Sequence, residues 1–152
     1  MNKLLSKQEK KIKVIAIVGA TASGKTTYSI DLAKKIDGEI ISADSRLVYK
    51  GFNIGTAKPT LAEREGIPHY MIDIVEPEFD YSAGLYKQEA SKIIKNITNK
   101  GKTPIIVGGT GLYIDILLKN FTLPPIEPNR ELREELYKMD LENLYNQLEK
   151  KD

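Results

Sequence analysis

Gly19-Ala20-Thr21-Ala22-Ser23-Gly24-Lys25-Thr26 is the stretch on which the reading of this chain turns. It fits G-x-x-x-x-G-K-[ST], a phosphate-binding loop. An apolar run, Val14 to Val18, precedes it, and a helix-compatible run, Thr27 to Ile36, follows. Strand, glycine loop and helix together give the pattern a physical meaning. The backbone N–H groups of such a loop converge with the helix N-terminus on an anion. Lys25 adds a point charge for the terminal phosphates, and the Thr26 hydroxyl is placed to ligate magnesium. The competing reading is an ordinary glycine-rich turn. The loop leaves open which polyphosphate it holds and what becomes of it.

The 152-residue chain is long enough for a domain with a real core. Its 23 basic and 21 acidic residues leave a net charge of +2, which neither demands nor excludes a nucleic-acid partner. There is no cysteine, hence no disulfide framework and no thiolate metal site, and the single histidine, His69, excludes a His-based zinc site. No apolar run reaches the length of a membrane span, so no membrane role is expected. Residues 1–13 carry five lysines without a following apolar core, so they read as a basic lead-in and not a secretory signal. The expected location is the cytoplasm.

Outward from the loop, Val14 to Val18 is short and rich in β-branched residues, as in a central parallel strand buried on both faces. Tyr28, Ile30, Leu32, Ala33 and Ile36 form a helical stripe, and Asp37-Gly38 ends it with glycine near the C′ position. Glu39 to Ser42 reads as a second strand running into Ala43-Asp44-Ser45-Arg46. Polar residues there emerge at a strand's carboxyl end, where open α/β sheets bind ligands. Leu47 to Thr60 is expected as loop, Leu61 to Gly66 as a short charged helix, and His69 to Val75 as a third extended segment. Ser82 is a candidate N-cap for a helix in which Leu85, Ala90, Ile93, Ile94 and Ile97 recur at helical spacing, closed by Asn99-Lys100-Gly101. Pro104 to Val107 is the fourth strand, Gly108 to Gly111 a second glycine-rich turn, and Leu112 to Lys119 the helix it opens. This alternation predicts an α/β fold of the P-loop NTPase type, a parallel sheet with helices on both faces, over residues 14–122. From residue 123 a proline-rich connector leads to two helices capped by Asn129 and Asp140, which stop at Lys150-Lys151-Asp152. Two such helices with little to bury against suggest a chain cut within a larger protein.

Asp44 has three readings: a Walker-B-like carboxylate holding magnesium through water, a general base facing the phosphate site, or a turn aspartate bonding its own backbone. The Gly108 to Gly111 turn either brings backbone and Thr110 to a ligand or simply connects strand to helix tightly. His69 beside Pro68 reads as a structural histidine, and Lys58 either reaches a phosphate or is solvated. There is no Asn-Lys-x-Asp guanine motif, and no arginine-rich lid of the kind phosphoryl transfer needs.

Taken together, the segments resemble the tRNA dimethylallyltransferase (isopentenyltransferase) family. The carrying residues are Gly19 to Thr26, Ile41-Ser42-Ala43-Asp44-Ser45, Val48 to Gly51, Ile54-Gly55-Thr56-Ala57-Lys58-Pro59, Ile67-Pro68-His69, Ile72-Asp73, Tyr81-Ser82 and Val107 to Tyr113. The resemblance runs from Val14 to the end and corresponds to roughly the first half of a family member. It implies transfer of a dimethylallyl group from dimethylallyl diphosphate to N6 of adenosine 37, beside the anticodon of certain tRNAs. The loop residues Gly19, Ala20, Thr21, Ala22, Ser23, Gly24, Lys25 and Thr26 would then hold the diphosphate leaving group, with Mg2+ on Thr26. Asp44 would orient or deprotonate the adenine amine. Asp44, Ser45, Arg46 and Leu47 would lie on the tRNA-contacting segment, Thr110 near the adenine, and Arg133 on a helix of an inserted domain that grips the anticodon stem-loop. A monomer is expected. Ala20 stands where the family often has proline, Arg46-Leu47 where Met-Gln is common, and Tyr70 where a second histidine is usual. The alternatives are an adenylate isopentenyltransferase acting on free nucleotide, a P-loop kinase, and a diphosphate-binding module without turnover.

Overall fold

The computed structural model describes residues 12–119, 121 and 129–151. Most of the basic lead-in and the proline-rich connector, residues 123–128, lie outside the described residues. The chain divides into two compact units, residues 1–122 and 123–152.

In the first unit four parallel strands, β1 (Ile15–Val18), β2 (Gly38–Ser42), β3 (His69–Tyr70) and β4 (Thr103–Gly108), pair in the order β1-β4-β2-β3. Helix α1 (Lys25–Ile36) connects β1 to β2, α2 (Ala83–Asn99) connects β3 to β4, and α3 (Gly111–Leu118) follows β4. Successive strand residues point to opposite faces, and the core divides accordingly. Ile40 and Ile105 pack with Ile30 and Ala33 of α1. Ile41 and Ile106 pack on the other face with Tyr86, Ala90, Ile94 and Ile97 of α2 and Tyr113 and Ile116 of α3. Helices therefore cover both faces, as the alternating pattern predicts.

Several details differ from the expectations. Among the described strands β1 stands at the edge of the sheet, where a central strand was expected: alternate residues are exposed, and Val18 is 59% accessible. The central pair is β4 and β2. Helix α1 ends at Asp37-Gly38 as expected, but the glycine does not supply the left-handed turn. Asp37 itself takes the left-handed conformation (φ 50°), and Gly38 is already the first residue of β2. Its missing side chain serves packing, since a Cβ there would stand 2.6 Å from Ile105 Cδ1. The segment 61–66 is a chain of turns, not a helix: Glu63 folds back to accept from Thr60 N at 2.7 Å, and Glu65 and Gly66 both have positive φ. The extended segment from His69 is only two residues long, because Met71 (φ 63°) and Asp73 (φ 56°) turn the chain out of the strand conformation. Ser82 caps α2 as expected, its hydroxyl accepting from Leu85 N at 3.2 Å.

At the end of the sheet opposite the phosphate loop, Glu39 is 3% exposed. It accepts from Tyr70 OH at 2.7 Å and from Lys100 Nζ at 3.1 Å, with Lys102 Nζ 3.4 Å away. Burial pushes its carboxyl pKa up, but these donors outweigh burial and hold it below the usual 4.5. A carboxylate with a lowered folded pKa stabilises the fold above its unfolded value, and that stabilisation is lost as pH falls through the folded value. Glu39→Gln is expected to lower stability at neutral pH by about 1–3 kcal/mol. It should also remove part of the acid slope, as measured by urea unfolding at neutral pH and near pH 4.

The second unit consists of α4 (Arg130–Tyr137) and α5 (Leu141–Glu149). Asn129 Oδ1 accepts from Leu132 N and Asp140 Oδ1 from Asn143 N, both at 2.9 Å, so both predicted caps form. Neither helix buries a residue fully, and Leu132, Leu141, Tyr145 and Leu148 are exposed.

Candidate phosphate-binding site

The carboxyl ends of β1, β4 and β2 lie side by side, with Val18 opposite Gly108 and Ser42 opposite Val107. Each strand there releases a loop: Gly19 to Gly24, Gly109-Thr110, and Ala43 to Leu47. Between them opens a cleft lined by Thr21, Ala22, Lys25, Thr26, Ser42 and Asp44. The loops from β2 and β4 add Leu47, Gly108 and Gly109, and Thr56, Ala57, Pro59, His69 and Ile72 close the far side.

The phosphate loop has the backbone its sequence calls for. Ala22 (φ 62°) and Gly24 (φ 78°) are left-handed, and Gly24 stands at the N-cap of α1 with no side chain capping the helix. The first N–H groups of α1 are therefore left for an external acceptor, at the positive end of the helix. Thr26 is exposed on the first turn. Lys25 is folded back: its ammonium donates to the Ala20 carbonyl and lies 3.4 Å from Ser23 Oγ. A polyphosphate arriving in the loop offers that ammonium stronger, anionic acceptors.

The Asp44 segment is tied to the second glycine turn. Ala43 N donates to Val107 O at 2.7 Å, extending the ladder past β2, and Thr110 N donates to Ala43 O at 3.1 Å. Ser45 N donates to Thr110 Oγ1 at 3.0 Å. Thr110 is the N-cap residue of α3, yet its hydroxyl does not cap that helix. It is committed to the Ser45 backbone, across the mouth of the sheet. Asp44 lines the cleft, and its Oδ1 accepts from Arg46 N at 2.8 Å, the local turn bond anticipated for an aspartate here, which leaves Oδ2 outside that bond. Local turn and cleft carboxylate are therefore compatible roles of one side chain. Ser45 and Arg46 are exposed at the rim, while Leu47 is half-buried in the cleft wall. Arg133 is exposed on α4, in the other unit.

Lys58 neither reaches the phosphate loop nor is solvated. Its side chain is 5% exposed, ion-paired with Asp73 and donating to Tyr49 O at 2.9 Å. It fastens the 49–58 loop to the segment after β3. His69 lines the cleft, with Nδ1 against Ile67 O at 2.8 Å and Nε2 buried without a partner. Burial first, then nearby Arg64, pushes its pKa below 6.5 in spite of the Ile67 bond, so it is neutral at physiological pH. Sequence reading missed Ser42 and Ser29, both of which line the cleft. A serine ending an apolar strand looks like the start of a turn, and Ser29 falls between two residues of the α1 stripe, Tyr28 and Ile30. Only their place at the sheet's carboxyl end and one turn into α1 signals otherwise.

A family model described as IPP transferase matches residues 47–152. The chain belongs to the IPP transferase family. Among its curated relatives is a tRNA dimethylallyltransferase of Pelotomaculum thermopropionicum, 49% identical over 134 residues, which cover 88% of this chain and 43% of the relative. The tRNA dimethylallyltransferase of Staphylococcus epidermidis is 54% identical over 135 residues, 88% of this chain and 41% of the relative. The full-length tRNA isopentenylpyrophosphate transferase of Bacillus halodurans superposes with a TM-score of 0.74 at 42% identity, covering 93% of this chain and 48% of that structure. A eukaryotic dimethylallyltransferase solved acting on tRNA gives a TM-score of 0.79 at 38% identity, over 92% of this chain and 36% of that one. The IPP transferase chain thus spans less than half the length of these relatives. Among its described residues, no helix is long and apolar enough to cross a membrane.

Proposed function

We propose that the chain is the diphosphate-binding and acceptor-activating part of a tRNA dimethylallyltransferase, transferring a dimethylallyl group from dimethylallyl diphosphate to N6 of adenosine 37. The observation that carries this reading is one cleft, in an IPP transferase chain, that joins an uncapped phosphate loop to a carboxylate on a separately anchored loop. The loop's N–H groups and Lys25 stabilise charge that builds on the leaving diphosphate as the allylic C–O bond breaks. Asp44, across the cleft, accepts a proton from the adenine amine or orients it. An exocyclic amine is a weak nucleophile, so holding it against the allylic carbon is a large part of the task. The base has to leave its stack to enter the cleft. Arg46 and Ser45 at the rim and Leu47 in the wall are proposed tRNA contacts. Thr110 enters this reading mainly through its hold on Ser45, and Arg133 as a contact on the helical unit.

The donors present fit magnesium. The Thr26 hydroxyl, exposed in the cleft on the first turn of α1, is a hard oxygen donor of the kind magnesium takes. No group of three or more His, Asp or Glu residues that could hold a metal forms among the described residues. Thr26 and substrate oxygens would therefore hold the ion, as suits a cation that keeps several waters. When bound, magnesium would supply charge stabilisation to the departing diphosphate. A monomer working in the cytoplasm is the accompanying proposal.

The test uses labelled dimethylallyl diphosphate with the chain in excess over tRNA, so that a single turnover is visible, beside parallel reactions with AMP and ATP. Label is expected in tRNA alone. Label only in the free nucleotide would transfer the reading to adenylate isopentenyltransferase. Movement of the γ-phosphoryl of ATP without prenyl transfer would make the protein a P-loop kinase.

A further inference from the structure

Among the described residues, three buried side-chain polar atoms lack a hydrogen-bond partner: Ser42 Oγ, His69 Nε2 and Tyr86 OH. Two of the three belong to residues of the same cleft. They also share a face. Ile40 pairs in register with His69, so both side chains stand on the α1 side of the sheet, and Ser42, two residues along β2, stands there too. That face is apolar through Ile30, Ala33, Ile40 and Ile105. It turns polar only at its carboxyl end, beside the first turn of α1. Ser29, in the same layer, donates its hydroxyl to Thr26 O at 2.7 Å, so a buried hydroxyl here can be satisfied within the fold. Ser42, 4% exposed at the end of a fully buried strand, is not. An orphaned buried hydroxyl destabilises the fold that carries it, and an apolar residue of similar size would not.

We propose that Ser42 is a ligand contact: its hydroxyl hydrogen-bonds an oxygen of the magnesium–diphosphate unit, either a phosphate oxygen or a metal-bound water. This rests on the diphosphate reading of the cleft. Lys25 and Thr26 approach the anion from α1, and the loop N–H groups surround it. Ser42 meets it from the strand side, between α1 and Asp44, where no other side chain of β2 offers a donor. Ser42 Oγ is buried in the ligand-free fold, so this contact requires the cleft floor to open as the anion enters.

The experiment is calorimetric titration of the chain with inorganic diphosphate, with magnesium and separately with a chelator, together with thermal unfolding of the ligand-free protein. Ser42→Ala is expected to weaken diphosphate binding about tenfold, the loss of one hydrogen bond to a charged group. Its unfolding midpoint should be unchanged or higher. A loss of affinity in both arms assigns the contact to a phosphate oxygen, and a loss only with magnesium assigns it to a metal-bound water. Affinity within twofold of wild type, or a midpoint that falls together with affinity, overturns the proposal. Lys25→Ala separates the two levels of the argument. If it binds diphosphate as well as wild type, or wild type does not bind, the cleft is not a diphosphate site and the role of Ser42 falls with it. If Lys25→Ala loses binding and Ser42→Ala keeps it, the site stands and the Ser42 contact does not.

Discussion

Gly108→Ala is expected to abolish the native fold, or to lower its stability by at least about 3 kcal/mol, the scale of forced overpacking against parts that cannot move. A Cβ on Gly108 would fall on the Ala43 carbonyl, with Ala43 Cα 2.9 Å away. All three nearest atoms are backbone, so no side-chain rotation relieves the clash. Nor can the Ala43 peptide retreat. Its N–H is held by Val107 O at 2.7 Å and its carbonyl by Thr110 N at 3.1 Å. Moving it would break the contact between the two central strands and displace Asp44 with it. Gly109, next along, tolerates more: a Cβ there would meet only Gly19 O, at 3.4 Å. Gly109→Ala should therefore fold. Urea unfolding followed by circular dichroism on the two variants checks the contrast. A stable, cooperative Gly108→Ala protein would mean that the approach of β4 to the Asp44 loop is not as drawn.

The same pair of glycines shows what the sequence can and cannot carry. The phosphate loop was legible because its chemistry is local. Two left-handed positions, an uncapped helix start and a lysine all fall within eight consecutive residues. The Gly108 turn was visible as glycine-rich, but its reason is a contact with Ala43, far away in the chain, and spacing holds no record of that. Gly38 is the same case: its place just after α1 is legible, but the left-handed turn falls on Asp37, and the glycine's empty position accommodates Ile105. A continuous β-branched run like β1 reports hydrophobicity, and among the described strands it has a neighbour, β4, on one side only. Lys58 before Pro59 looked like a phosphate ligand or a solvated lysine. Its partner Asp73 is brought to it only by turns at Met71 and Asp73, non-glycine residues with positive φ that give no compositional warning. Capping serines, asparagines and aspartates were read correctly at Ser82, Asn129 and Asp140, since a cap and its partner lie three residues apart. Thr110 obeys the same compositional rule and breaks it in fact, because a longer-range acceptor role at Ser45 competes for its hydroxyl.

Asp44→Ala is expected to reduce prenyl transfer to tRNA by about 10²–10⁴-fold, the range of a positioned acid–base group, while diphosphate affinity changes by less than about threefold. The asymmetry follows from the architecture. The groups proposed to hold the diphosphate from α1, its N-terminus and Lys25, belong to the segment after β1, which Asp44 does not touch by any hydrogen bond. Asp44 is carried by the segment after β2, held by Val107 O and Thr110. Removing the carboxylate deletes one local bond, Arg46 N to Oδ1, and leaves the Ser45 anchor in place. Asp44→Asn sharpens the result, because its amide oxygen can still accept from Arg46 N but cannot take up a proton. If Asn restores transfer, Asp44 acts by positioning the rim of the cleft. If Asn is as impaired as Ala, the charge itself acts on the amine. If both variants lose diphosphate binding along with transfer, and do so only with magnesium present, the carboxylate holds the metal. The acceptor would then depend on a base from another part of the protein. Measuring single-turnover transfer and diphosphate affinity on the same preparations decides among the three.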